Sequence, residues 1–150
     1  MKRHLFAIVT ALATVTAVAG DGPTVYPFPS DSTSLAKDSR FFEMRTYHAA
    51  PGKMEALNSR FRDTTTKLFT KHGMTVVAYW IPMDKDGKYE NTLVYMLAFP
   101  SHAARDKAWK EFSDDPEWKA AKADSEKNGP LLTGKPESVY MTATDYSPLK

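Results

Sequence analysis

Glu43, Arg45 and Tyr47 recur at every second position, so an extended chain places a carboxylate, a guanidinium and a phenol in one row. Two kinds of chemistry fit that row. An arginine flanked by tyrosine hydroxyls can hold an anionic group in a pocket, its planar fork of donors gripping the ligand while the phenols orient it. Alternatively, Glu43 and Arg45, two residues apart on one face, neutralise each other as an ion pair buried between two copies of the chain, and no ligand is involved. The ion pair is the simpler reading.

His48 and His72 stand at the ends of predicted elements, where an imidazole can serve as a general base or a haem ligand. His72 also has a plainer role, as a cation near the negative end of a helix dipole. His102 opens a helix and reads as exposed, and His4 lies in a segment expected to be removed. No two histidines and no carboxylate pair have metal-ligand spacing, so no metal site is expected, and no cofactor is implied. Tyr79, Trp80, Tyr95, Trp109 and Trp118 could line a cavity for a flat ligand between helices and sheet, although such residues are more often plain core. Trp80, ending an apolar run, is the best single candidate for a cavity wall. The candidate ligand-binding set is therefore Arg45, Tyr47, His48, His72, Tyr79, Trp80 and Tyr95. There is no glycine-rich phosphate loop and no G-x-S-x-G element.

Composition narrows the field further. The absence of cysteine removes disulfides, thiolate metal sites and cysteine nucleophiles. The formal net charge is +2, but without Lys2 and Arg3 the remaining chain has 18 basic and 18 acidic residues. Basic residues interleave with acidic ones, which gives no electrostatic footprint for nucleic acid.

The N-terminus reads as an address. Lys2 and Arg3 precede an uncharged run, Leu5 to Val18, and Ala17-Val18-Ala19 fits small-x-small cleavage after Ala19. A membrane span needs ~20 apolar residues, so no stable anchor is expected after cleavage. The expected organisation is a signal peptide at 1–19, a flexible linker at 20–39 rich in Pro, Ser and Thr, and one domain at 40–149. The expected location is periplasmic or secreted. Val25, Tyr26 and Phe28 are the linker's sizeable apolar group.

The domain divides by periodicity. Phe41 to His48 alternate, with Phe42, Met44 and Thr46 on one face and Glu43, Arg45 and Tyr47 on the other. Lys53 to His72 form a long helix with Met54, Leu57, Phe61 and Leu68 inward and Arg60 away from that line, stopped by Gly73. Met74 to Met83 form a second strand, and Asp84 to Lys88 a hairpin turn with Asp86-Gly87. Thr92 to Phe99 form a third strand, its run Leu93 to Ala98 apolar enough for burial on both faces. Ser101 caps a helix whose inner face carries Ala104, Ala108 and Phe112, with Trp109 beside them. Asp115-Pro116 restarts a helix, and Glu137 to Tyr146 form the last strand. The order β-α-β-β-α-β predicts an α+β, ferredoxin-like fold: a four-stranded antiparallel sheet, both helices on one face, strands one and three central.

The segments Phe42-Glu43-Met44-Arg45-Thr46-Tyr47, Pro51-Gly52-Lys53, Lys71-His72-Gly73-Met74, Ala78-Tyr79-Trp80, Leu93-Val94-Tyr95 and Asp115-Pro116-Glu117-Trp118, in that order, resemble a NIPSNAP domain. Ala78 stands where members often have glycine. The resemblance implies a dimeric α/β barrel, the fold also used by antibiotic-biosynthesis monooxygenases and haem-degrading enzymes, and implies no agreed chemistry. The strand pattern points to a homodimer independently. Strands apolar on both sides leave an oily sheet face that a second copy would cover, at the ~10 Å spacing of packed sheets. Three functions follow as expectations: a homodimeric module that binds a small apolar or aromatic ligand or a partner; a cofactor-independent monooxygenase or isomerase acting on an aromatic or polyketide-like substrate; and haem handling.

Overall fold

The structure, a computed structural model, describes residues 35–36, 38–83 and 86–150. The expected signal peptide, the linker up to Ser34 and the turn residues Asp84 and Lys85 lie outside the described residues. The elements are β1 (Phe41–His48), α1 (Met54–Arg60), a π-helical segment (Phe61–Thr65), α2 (Thr66–Lys71), β2 (Thr75–Trp80), β3 (Thr92–Phe99), α3 (His102–Asp114), α4 (Pro116–Ser125) and β4 (Glu137–Thr142). The strands pair antiparallel in the order β2-β3-β1-β4, so strands one and three are central, as the topology predicts.

Local chemistry sets the element ends. The Ser101 hydroxyl accepts from the Ala104 N–H and starts α3. Asp115 accepts from the Glu117 N–H ahead of Pro116 and starts α4. Gly73, at φ +75°, ends α2 in the left-handed conformation that glycine adopts without penalty. The first long helix is continuous but not α throughout. Thr65 Oγ1 donates to the Arg60 carbonyl (3.1 Å) and Thr66 Oγ1 to the Phe61 carbonyl (2.8 Å), and the turn they join is π-helical. Such a turn inserts a residue and rotates the register. Arg60 and Phe61, three and four residues after the buried Leu57, share its helix face, and both are buried. This corrects the reading that placed Arg60 on the outer side.

Two strands stop earlier than periodicity suggests. β2 ends at Trp80, shortly before Pro82, which has no N–H to continue a ladder. β4 ends at Thr142 because the chain beyond it pairs with the segment preceding β1. Ala36 N–H donates to the Ala143 carbonyl at 3.0 Å, Ala143 N–H to Ser39 Oγ at 2.7 Å, and Leu35 bridges Thr144. The folded unit thus includes the end of the stretch read as linker.

The sheet has two unlike faces. Under the helices, Phe41, Leu93, Tyr95, Leu97 and Phe99 pack with Leu57, Phe61, Leu68, Phe69, Ala108 and Phe112. The opposite face groups Phe42, Ala98 and Ala143 with Val77, Met96 and Met141. Strand alternation adds Met44, Thr46, Val94 and Val139 to it, and Val139 is 49% exposed. No helix among the described residues is long and apolar enough to cross a membrane.

Candidate functional site

The polar row on β1 points under the helices. Glu43, on a central strand, is fully buried, and its carboxylate accepts five hydrogen bonds. Oε1 accepts from Arg45 Nη1 (2.9 Å), Arg105 Nη2 (2.8 Å) and Ser138 Oγ (3.0 Å); Oε2 accepts from Arg105 Nε (2.9 Å) and Trp109 Nε1 (2.7 Å). Arg105 and Trp109, four apart on α3, share a helix face and reach the strand together. Burial by itself raises the Glu43 pKa. The Arg105 hydrogen bonds, the Arg45 charge, the Trp109 donor and the Arg105 charge outweigh it, and the group ends below the ordinary glutamate value. A carboxylate held charged by five donors is a weak general base.

Arg45 lies with its guanidinium 4.4 Å from the Trp109 ring centroid and 5.6 Å from that of Tyr47. Its Nε–H is buried without a protein partner. Desolvation works to lower its pKa, but Tyr47, Tyr95 and Glu43 leave it raised. The Tyr95 hydroxyl donates to the Tyr47 hydroxyl at 3.0 Å. Burial, then Tyr47, push the Tyr95 phenol well above its ordinary value. Phe61 is the centre of this aromatic group, with edge contacts to Tyr47, Tyr79 and Tyr95 at 5.6, 5.7 and 5.2 Å between centroids.

Two clefts open beside this aromatic group. The first, about 400 Å³, is lined by Asn58, Phe61, Arg62, Thr66, Tyr79 and Leu93. The Tyr79 hydroxyl shares a 2.8 Å hydrogen bond with Thr66 Oγ1, and burial raises its pKa against that bond. The second, about 320 Å³, runs between Tyr47, Arg60 and Trp118 and the loop Pro130 to Pro136. Among the described residues, no three His, Asp or Glu side chains converge to hold a metal ion.

The NIPSNAP family model matches residues 42–148. The chain belongs to the NIPSNAP family. Solved structures of similar fold include a NIPSNAP family protein of unknown function from Agrobacterium tumefaciens, 22% identical, with TM-score 0.66 over 78% of this chain and 99% of that one. A second protein of the family from that organism is 20% identical, with TM-score 0.63 over 74% and 99%. An uncharacterised NIPSNAP-like domain protein from Burkholderia xenovorans is 15% identical, with TM-score 0.63 over 74% and 90%. At these identities the likeness is one of fold. No curated protein matches the chain.

This NIPSNAP domain brings four of the seven sequence candidates together: Arg45, Tyr47, Tyr79 and Tyr95. The other three are elsewhere. His48 is on the helix-free face, with Nδ1 3.3 Å from Thr92 Oγ1 and Nε2 3.2 Å from Glu137 Oε1. His72 ends α2, with Nε2 2.8 Å from Asp115 Oδ2, where Lys71 Nζ also donates at 2.7 Å. Those hydrogen bonds, Lys71 first, draw the Asp115 pKa far below the carboxylate range. Trp80 is 45% exposed, because a bulge between Val76 and Ala78 turns Tyr79 inward and Trp80 outward. The Glu43–Arg45 pair forms as expected but under α3, not on the uncovered face. Sequence reasoning passed over Arg105, Ser138 and Arg60 as site residues and named Trp118 only as one of five possible cavity-wall aromatics. The available signal was Arg105 four residues before the inward Trp109, an arginine on the core side of its helix.

Proposed function

We propose that this NIPSNAP domain acts as an exported homodimer that binds a small, largely apolar or aromatic molecule between its helices and its sheet. The observation that carries this is the cleft walled by Phe61, Tyr79 and Leu93. Its volume, about 400 Å³, falls in the ordinary small-molecule range, and it joins apolar walls to a few polar tips, Asn58, Thr66 and the Tyr79 hydroxyl. Export is supported by the signal-peptide pattern at 1–19, and pairing by the apolar character of the uncovered face. Glu43, charged and saturated with donors, favours binding over proton-transfer catalysis. A thermal-shift screen of the mature chain with neutral aromatic compounds tests the reading. A ligand at 100 times its Kd stabilises by about 2.7 kcal/mol, a clear rise in Tm. The shift should saturate and should vanish in Tyr79→Ala. No saturable shift from any compound would refute it.

A further inference from the structure

We propose that the second cleft reads anions: Arg60, Lys122 and Lys135 receive the acidic group of a flat aromatic acid whose ring lies between Tyr47 and Trp118. The inference concerns a cleft that shares no lining residue with the first, and it rests on the proposed function only for the entry of a small molecule beneath the helices.

Charge is the first observation. Three cations and one carboxylate, Glu126, line a concavity of about 320 Å³ in a chain whose formal charges otherwise nearly cancel. Neither ammonium is committed elsewhere: among the described residues no hydrogen bond or ion pair engages the Lys122 or Lys135 side chain. Arg60 is the second. Its side chain is 4% exposed, and Nη1 donates to Ser125 Oγ at 3.2 Å and Glu126 Oε1 at 2.9 Å. The guanidinium sits 5.2 Å from the Trp118 ring centroid, and its buried Nε–H has no protein partner. Glu126 offsets much of the Arg60 charge, so the surplus that draws an anion is that of Lys122 and Lys135, with Arg60 forming the buried wall of the cleft. Burying a guanidinium here is costly unless its donors are used.

The walls select the rest of the ligand. Tyr47 and Trp118 present aromatic surface, and Pro130, Leu132 and Pro136 close the far side. The Tyr47 hydroxyl accepts from Tyr95, which leaves its own proton for a ligand oxygen. Bare phosphate would use the cations and waste the rings; a neutral aromatic would do the reverse. An aromatic carboxylate uses both.

The test titrates 2-naphthoate into the mature chain, followed by tryptophan fluorescence, against 2-naphthalenemethanol as the neutral counterpart and inorganic phosphate as an anion without a ring. Naphthoate should bind saturably and about tenfold tighter than the alcohol, with affinity falling as salt rises. The double variant Lys122→Gln, Lys135→Gln, at two exposed sites, should keep the parent urea midpoint, weaken naphthoate about tenfold and leave the alcohol unchanged. Equal affinity for acid and alcohol, or an unchanged Kd in the double variant, overturns the inference while the binding function stands. Phosphate binding as tightly as naphthoate overturns the aromatic part. Failure of all neutral and acidic aromatics to bind removes both.

Discussion

Glu43→Gln keeps the shape of the buried side chain and removes one charge and one acceptor. Its cost follows from the donors. Glutamine has one oxygen. Placed at the Oε1 position, it still satisfies Arg45 Nη1, Arg105 Nη2 and Ser138 Oγ, while its NH2 faces Arg105 Nε and Trp109 Nε1, donor against donor. Each orphaned buried donor costs about 1–3 kcal/mol. Removing one partner of a buried ion pair costs about 3–5 kcal/mol, in agreement. Against a typical total of about 5–15 kcal/mol, that is a large share of the stability. Urea unfolding at fixed protein concentration should show a midpoint lower by about 2 M, for a slope of about 2 kcal/mol per M. A second signature lies in pH. The Glu43 pKa is depressed in the folded state, so its contribution is complete above the unfolded value and is lost as pH falls through the folded one. Stability of the parent should decline below about pH 4.5, and the Gln variant should decline less steeply there. A loss under about 1 kcal/mol, or an unchanged acid limb, would show that the five bonds do not act as a unit.

Met96→Glu, on the uncovered face opposite Met44, should halve the mass seen by sedimentation at micromolar concentration if the proposed pairing holds; a parent chain that already sediments as a monomer refutes the pairing. Gly73→Ala should cost about 1 kcal/mol, since an added Cβ meets no atom within 4 Å and only the positive φ is penalised. Urea midpoints check it, and a neutral result would mean that the turn relaxes. Tyr79→Phe should lose about 0.5–1.5 kcal/mol with the Thr66 bond, and should remove one late-titrating phenol from an ultraviolet titration above pH 10.

Much of the fold is visible in the chain because it is written locally. The alternation of Phe41 to His48, the unbroken run of β3 and the side-chain caps at Ser101 and Asp115 each specify an element without reference to distant residues. The site is less visible because tertiary contacts decide it. The π turn depends on hydroxyl bonds from Thr65 and Thr66 that no hydrophobic periodicity reveals, and the buried Arg60 is met by Ser125, Glu126 and Trp118, 58 or more positions away. The bulge in β2 reverses strand parity, so Tyr79 and Trp80 exchange the faces that strict alternation assigns them. Glu43 is readable as half of an ion pair from its i+2 arginine. Its stronger partner, Arg105, lies 62 positions away and enters only when α3 docks.

β1 departs twice from the usual rule that helices cover the oily face of a sheet and water covers the polar one. Its charged row faces the helices, and Phe42 and Met44 face away. The first departure is resolved within the chain: five donors from β1, α3 and β4 meet one carboxylate, and the charge pins α3 to the sheet. The second is resolved only in part. The C-terminal segment with Ala143, Ser147 and Leu149 lies along the Phe42 and Met141 end and leaves a gap of about 180 Å³. Val139 and Trp80, farther along the same face, remain about half exposed. An intramolecular cover that stops midway across an apolar sheet leaves the remainder for a second surface, and in the proposed pairing the same face of another copy would supply it by symmetry. Both clefts open on the helix side of the sheet, so the proposed ligand binding and the proposed pairing would not compete for one face.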